Sequence, residues 1–92
     1  MNLTRPLVSL DLEATGTDPA TDRIVEVGIV KRYPDGRDDV FRWLVNPEVQ
    51  IPAESIRVHG YTNEIARIQP LFADVADDIA NTLRGCDLVG FN

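Results

Sequence analysis

Residues 7–16, Leu7-Val8-Ser9-Leu10-Asp11-Leu12-Glu13-Ala14-Thr15-Gly16, set the frame for the whole chain. Leu7 to Leu12 predict a β-strand, because apolar and polar side chains alternate at a period of two. In an extended backbone successive side chains point to opposite faces. Val8, Leu10 and Leu12 therefore share one face, and Ser9, Asp11 and, where extension continues, Glu13 share the other. Residues two apart in a strand are about 6.6 Å apart along the backbone, close enough for both carboxylates to reach one metal ion or a pair. A polar stretch follows from Ala14 to Asp22, carrying Gly16 and Pro19.

Outward from this strand, Ile24 to Arg32 predict a second one, rich in Val and Ile with Gly28 inside it. Pro34-Asp35-Gly36 is a turn signal, and Val40 to Val45 predict a third strand, giving two antiparallel hairpins. Asn46-Pro47 and Ile51-Pro52 mark an extended loop, with short helical turns expected over Ala53 to Val58 and Thr62 to Ile68. Pro70 opens the clearest helix: Phe72, Val75, Ala76, Ile79, Ala80 and Leu83 fall at helical spacing, and Gly85 is placed to end it. Cys86 to Phe91 predict a fourth strand. A helix crossing between strands usually makes the second parallel to an earlier one, so the fold class is α/β with a mixed sheet.

The chain has 92 residues, room for one small domain of marginal stability, and 43% hydrophobic with 26% charged residues make it an ordinary globular composition. A single cysteine, Cys86, excludes an internal disulfide. No apolar run approaches the roughly 20 residues that span a membrane, and the start, Met1 to Pro6, lacks the regions of a signal peptide, so the cytoplasm is the expected location and no membrane is expected as a partner. A net charge of −6 argues against a broad basic surface gripping long nucleic acid. It leaves room for a small acidic site that meets phosphate through divalent cations.

Two acids at the end of an apolar strand repel one another and lose hydration unless something compensates. A hard divalent cation, magnesium or manganese, does so with oxygen ligands, and no Cys/His cluster favours zinc. A solvated strand end, where the acids face only water, accounts for the Asp-x-Glu spacing as well. Glu26 is open to two readings, a third metal ligand and a charge partner for the sheet or a loop. Phe41 and Trp43 alternate with polar neighbours and read as packing residues, and Cys86 reads as a small buried one. There is neither a phosphate-cradling Walker loop nor a Ser-centred nucleophile elbow.

The run Asp11-Leu12-Glu13-Ala14-Thr15-Gly16, the run Arg23-Ile24-Val25-Glu26-Val27-Gly28 and the later Val58-His59-Gly60-Tyr61-Thr62 together resemble the DEDD, or DnaQ-like, 3′→5′ exonuclease family. The resemblance implies a ribonuclease H-like fold, with residues 1–92 forming the N-terminal portion of one exonuclease domain. It implies Asp11 and Glu13 as catalytic metal-binding acids for two magnesium or manganese ions. It sets Ala14 and Thr15 against the terminal nucleotide, and Glu54 and His59 at positions that contact the nucleotide in the polymerase-proofreading branch. Implied partners are the single-stranded 3′ end of DNA or RNA and a DNA polymerase subunit.

Two departures qualify that pattern. Ala14 stands where Thr is more usual, removing a hydroxyl near the nucleotide. Leu88-Val89-Gly90-Phe91-Asn92 leads into the family's second motif, but the Asp that should follow, and the third motif with its His or Tyr and last Asp, are absent from the 92 residues. Two acids cannot fix two ions about 3.5–4 Å apart, and the general base is missing, so this stretch alone is expected to show little nuclease activity. An incomplete half-domain serving as an interaction module, self-associating through an open edge of the sheet, is the competing expectation.

Overall fold

In the computed structural model, residues 4–18 and 20–91 are described. Pro19 of the loop, Asn92 of the last segment and Met1 to Leu3 at the start lie outside them. The chain runs β1 (Leu7–Ala14), β2 (Ile24–Arg32), β3 (Asp38–Leu44), α1 (Ala53–His59), α2 (Asn63–Arg67), α3 (Phe72–Leu83) and β4 (Asp87–Phe91). The strands form one sheet in the order β3-β2-β1-β4. β1 pairs antiparallel with β2, β2 antiparallel with β3, and β4 parallel with β1, as a helical crossover requires.

The first strand extends past Leu12 to Ala14, so Glu13 keeps the alternation of Ser9 and Asp11. Its partner explains why. Leu7 to Glu13 pair in unbroken register with Arg32 to Glu26, and only then does Ala14 pair with Ile24, leaving Val25 as an extra residue in a β-bulge. Val8, Leu10, Leu12, Val27, Ile29, Phe41 and Trp43 form one apolar face, on which α3 lays Val75, Ile79 and Leu83. Phe41 and Trp43 stack at 6.1 Å and belong to this core. Each fully buried aliphatic side chain here contributes roughly 1.5–3 kcal/mol.

The α3 stripe is narrower than the periodicity predicts. Phe72 is 43% exposed and Ala80 is exposed too, because only the i, i+4, i+8 row of Val75, Ile79 and Leu83 meets the sheet. Pro70 also stands just outside the helix: Leu71 caps it, and the Asp74 carboxylate accepts the Leu71 N–H at 3.1 Å. The helix ends at Leu83 with Arg84 as its cap, and Gly85 then turns the chain with a φ of +74 that favours glycine. Lys31 reaches the Thr82 carbonyl at 3.2 Å, placing a positive charge where the helix carbonyls are unpaired. Arg5 ties the start of the chain to this corner through the Gly85 carbonyl and Asp87. Cys86 is half-buried against the core, less enclosed than its sequence suggests.

Opposite α3, a second and smaller core joins the bulged Val25 to Ile51 and Ala66, with Ile56 and Tyr61 packed against it. It docks the two short helices on the far side of the sheet. At the sheet's edge, Leu88 and Val89 of β4 are 61% and 59% exposed.

Candidate functional site

The cross-strand register puts Asp11 opposite Gly28 and Glu13 opposite Glu26, so both acids share the face turned away from α3. Asp11 is exposed and Glu13 half-buried. Around Asp11 the sheet carries small residues. Gly28 flanks Asp11 on one side, and on the other Gly90 of β4 pairs with Ser9. A Cβ at Gly28 would stand 3.9 Å from Asp11 Cβ, and one at Gly90 would stand 3.6 Å from Ser9 Oγ. Two glycines and a serine thus floor the acid-bearing face, a signal present in the sequence but invisible until the strands are registered. Among the described residues no group of three or more His, Cys, Asp or Glu side chains is arranged to hold a metal ion, so the acids stand as a pair. Clefts of about 550 and 350 Å³ open around Asn46 to Glu48, and neither is lined by Asp11 or Glu13.

Glu26, only 8% exposed, has its charge already matched. The Tyr61 hydroxyl donates a hydrogen bond to its carboxylate, and Arg42 Nε lies 3.4 Å from the same oxygen. This is the charge partnership expected of Glu26, with both a sheet partner and a loop partner. The hydrogen bond to Glu26 holds the Tyr61 phenol above its usual range, burial and the negative charges of Glu26 and Glu13 add to the shift, and Arg42 opposes it.

Beyond β1, Thr15 is 2% exposed and its side chain points inward. Its hydroxyl donates to Asp22 at 2.9 Å and accepts the Arg23 N–H at 2.9 Å. Asp22 also accepts the Asp18 N–H at 2.8 Å, closing the loop on one carboxylate. Gly16 is there for the same group: a Cβ on it would sit 2.5 Å from an Asp22 oxygen. The space over Gly16 is filled by the chain's own Asp22. Ala14, half-buried, leaves only its methyl at the end of β1.

The helical positions reach the site through two tethers. Ser55 donates to the Thr15 carbonyl at 2.7 Å, fastening α1, and with it the exposed Glu54, to the end of β1. His59 closes α1, and Gly60 turns the chain with a φ of +79. His59 Nδ1 accepts the Tyr61 N–H at 3.1 Å, and the two rings stack at 5.3 Å. His59 Nε2 is buried and has no hydrogen-bond partner among the described residues. Asp11 and Glu13 thus share the face of β1 that leads into Ala14 and Thr15, while Ser55 ties α1, the helix of Glu54 and His59, to the Thr15 carbonyl and Tyr61 joins His59 to Glu26. Sequence reading missed Ser55, Tyr61, Arg42 and Asp22, whose types are commonplace in loops and strands.

The exonuclease family RNase_T matches residues 8–92. The DNA polymerase III subunit epsilon of Rickettsia conorii is 37% identical over 89 residues, covering 92% of this chain and 38% of that protein. The corresponding subunit of Salmonella typhimurium is 32% identical over 98 residues, covering 98% of this chain and 39% of that protein. The chain therefore spans less than half the length of these relatives. Among solved structures, E. coli exonuclease I in complex with a dT13 oligonucleotide superposes with a TM-score of 0.79 at 19% identity, over 97% of this chain and 21% of that one. That likeness confirms the ribonuclease H-like arrangement of the sheet. No helix among the described residues is long and apolar enough to cross a membrane.

Proposed function

Because the chain belongs to the exonuclease family that it matches over residues 8–92, we propose that the protein removes nucleoside monophosphates from the 3′ end of single-stranded DNA or RNA, with Asp11 and Glu13 as metal-binding acids. The observation that carries this reading is the placement of both carboxylates on one face of β1, with Gly28 rather than a bulky side chain across from Asp11. The donor set suits magnesium or manganese: two carboxylates, hard oxygen ligands, with no sulfur or imidazole beside them in register. When bound, such ions would supply Lewis-acid polarisation of the phosphodiester and a more acidic water.

The chain's own residues do the rest. Asp11 and Glu13 hold the ions, and Gly28 and Gly90 leave the sheet open for a sugar-phosphate. Ala14 and the Thr15 backbone lie against the terminal nucleotide, with the Thr15 hydroxyl committed to Asp22 so that the loop is rigid before substrate arrives. Glu54 and His59 approach the same nucleotide from α1. Glu26 binds no ion, since Tyr61 and Arg42 already satisfy it. The similarity to polymerase III epsilon subunits supports a DNA polymerase as partner.

Calorimetric titration with manganese tests the assignment. Uptake that disappears in Asp11→Asn and Glu13→Gln supports it; uptake unchanged in both, or none in the parent protein, rejects it. The exposed Leu88 and Val89 on the edge strand favour a second reading, an interaction module that pairs through β4. A shortened ladder from a 5′-labelled oligonucleotide, absent in the acid variants, decides for the enzyme.

A further inference from the structure

The corner His59-Gly60-Tyr61 carries an arrangement that the acid pair does not use. A backbone N–H only donates, so the contact from Tyr61 N to His59 Nδ1 at 3.1 Å makes Nδ1 an acceptor. In the neutral ring the proton then sits on Nε2. That N–H is buried without an acceptor among the described residues. The imidazole takes its orientation from the tyrosine ring stacked on it at 5.3 Å and 24°. The tyrosine ring is in turn pinned at its far end, where its hydroxyl donates to Glu26. Glu26 is itself fixed by burial and by Arg42, and it is the cross-strand neighbour of Glu13. Fixed contacts therefore run from the strand position beside a metal-binding acid to the histidine ring.

From this geometry we infer that Tyr61 and Glu26 are positioning residues: their hydrogen bond locks His59 as the Nε2–H tautomer at the acid-bearing side of the sheet, so that the ring offers a donor to an oxygen of the substrate when binding uncovers it. The identity of that oxygen, on the sugar or phosphate of a 3′ end, rests on the proposed function; the locking does not. An unsatisfied buried donor gains most from an incoming acceptor, because a group that has already lost its water has no further desolvation to overcome. A phenylalanine in place of Tyr61 would keep the ring stack and lose the pin, whereas a glutamine in place of Glu26 would keep an acceptor for the hydroxyl.

Long-range proton–nitrogen NMR on the 15N-labelled 92-residue chain reads this directly, without metal or oligonucleotide. In the parent chain His59 should show a non-protonated Nδ1 and an Nε2–H proton slow enough in exchange to be seen. Tyr61→Phe should speed that exchange at least about tenfold while the amide spectrum stays dispersed, and Glu26→Gln should leave it slow. A proton on Nδ1 in the parent chain, an Nε2–H too fast to see, unchanged exchange in Tyr61→Phe, or lost protection in Glu26→Gln each overturns the inference. Should Tyr61→Phe not fold, the parent signals and Glu26→Gln still decide it. Since no nuclease readout is involved, absence of manganese uptake at Asp11 and Glu13 alongside a locked His59 would sink the exonuclease reading and leave this one standing.

Discussion

The two faces of the sheet are built from the same strands by alternate residues, yet they are constructed on opposite terms. Under α3, Val8, Leu10, Leu12, Val27, Ile29, Phe41 and Trp43 fill space, chiefly with hydrocarbon. On the other side, Ser9, Asp11, Glu13 and Gly28 leave space open, and Glu26, the one buried charge among the described residues, is matched by Tyr61 and Arg42. One face spends its side chains on cohesion. The other keeps carboxylates together that would be more stable apart, the usual sign that a surface is arranged for a ligand rather than for folding.

Substitutions that respect this division should separate stability from function. The largest effect is expected from Ile29→Ala, which empties the centre of the packed face and should lower unfolding free energy by about 2–5 kcal/mol in urea titrations followed by Trp43 fluorescence. In a domain of this size that loss approaches the whole of the stability. On the open face, Asp11→Asn or Glu13→Gln should reduce 3′-end hydrolysis by the whole protein at least about a hundredfold, since even residues behind a metal ligand matter at the 10–100-fold level. The urea midpoint of these variants should stay put or rise; a fall comparable to Ile29→Ala would erase the distinction between the faces.

Between them stands Gly16→Ala, where the new methyl would meet the Asp22 carboxylate at 2.5 Å. A destabilisation of about 1–3 kcal/mol is expected from the forced shift, measured by thermal unfolding, with the acids untouched. The smallest effect concerns pH. Folding raises the Tyr61 phenol above its ordinary value, chiefly through the hydrogen bond to Glu26. The folded state therefore holds this proton more tightly, and the stability it contributes is complete below the ordinary phenol range and lost as pH climbs through the raised value. Urea midpoints should be insensitive to Tyr61 near neutrality and fall in strong alkali, a fall that Tyr61→Phe lessens.

Much of this was legible in the sequence, for identifiable reasons. Ile24–Arg32 matches the expected strand, and the crossover helix and parallel fourth strand follow from hydrophobic period and handedness. The shared face of Asp11 and Glu13 follows from parity alone. What escaped depends on contacts between distant segments. Asp22 organises the loop by bonding Thr15 and filling the space over Gly16, Ser55 ties α1 to the end of β1 across forty positions, and Tyr61 finds Glu26 across thirty-five. None of these has a periodic signature. Phe72 and Ala80 failed as core residues for a related reason: spacing shows which residues share a helix side, but not how wide a strip the neighbouring sheet can cover.

The bulge at Val25 has a consequence for tolerance of insertions and deletions. Ile24 joins the core beneath α3, whereas Val25, its immediate neighbour, anchors Ile51 and Ala66 on the opposite side. Removing that one residue would leave a regular ladder, with Ala14 and Glu13 still facing their present partners, and the strand would gain in regularity. Both short helices would lose the peg on which they hang. A shorter strand would thus yield a tidier sheet with its carboxylates intact, and leave the two helices to hang on side-chain tethers such as Ser55 to Thr15.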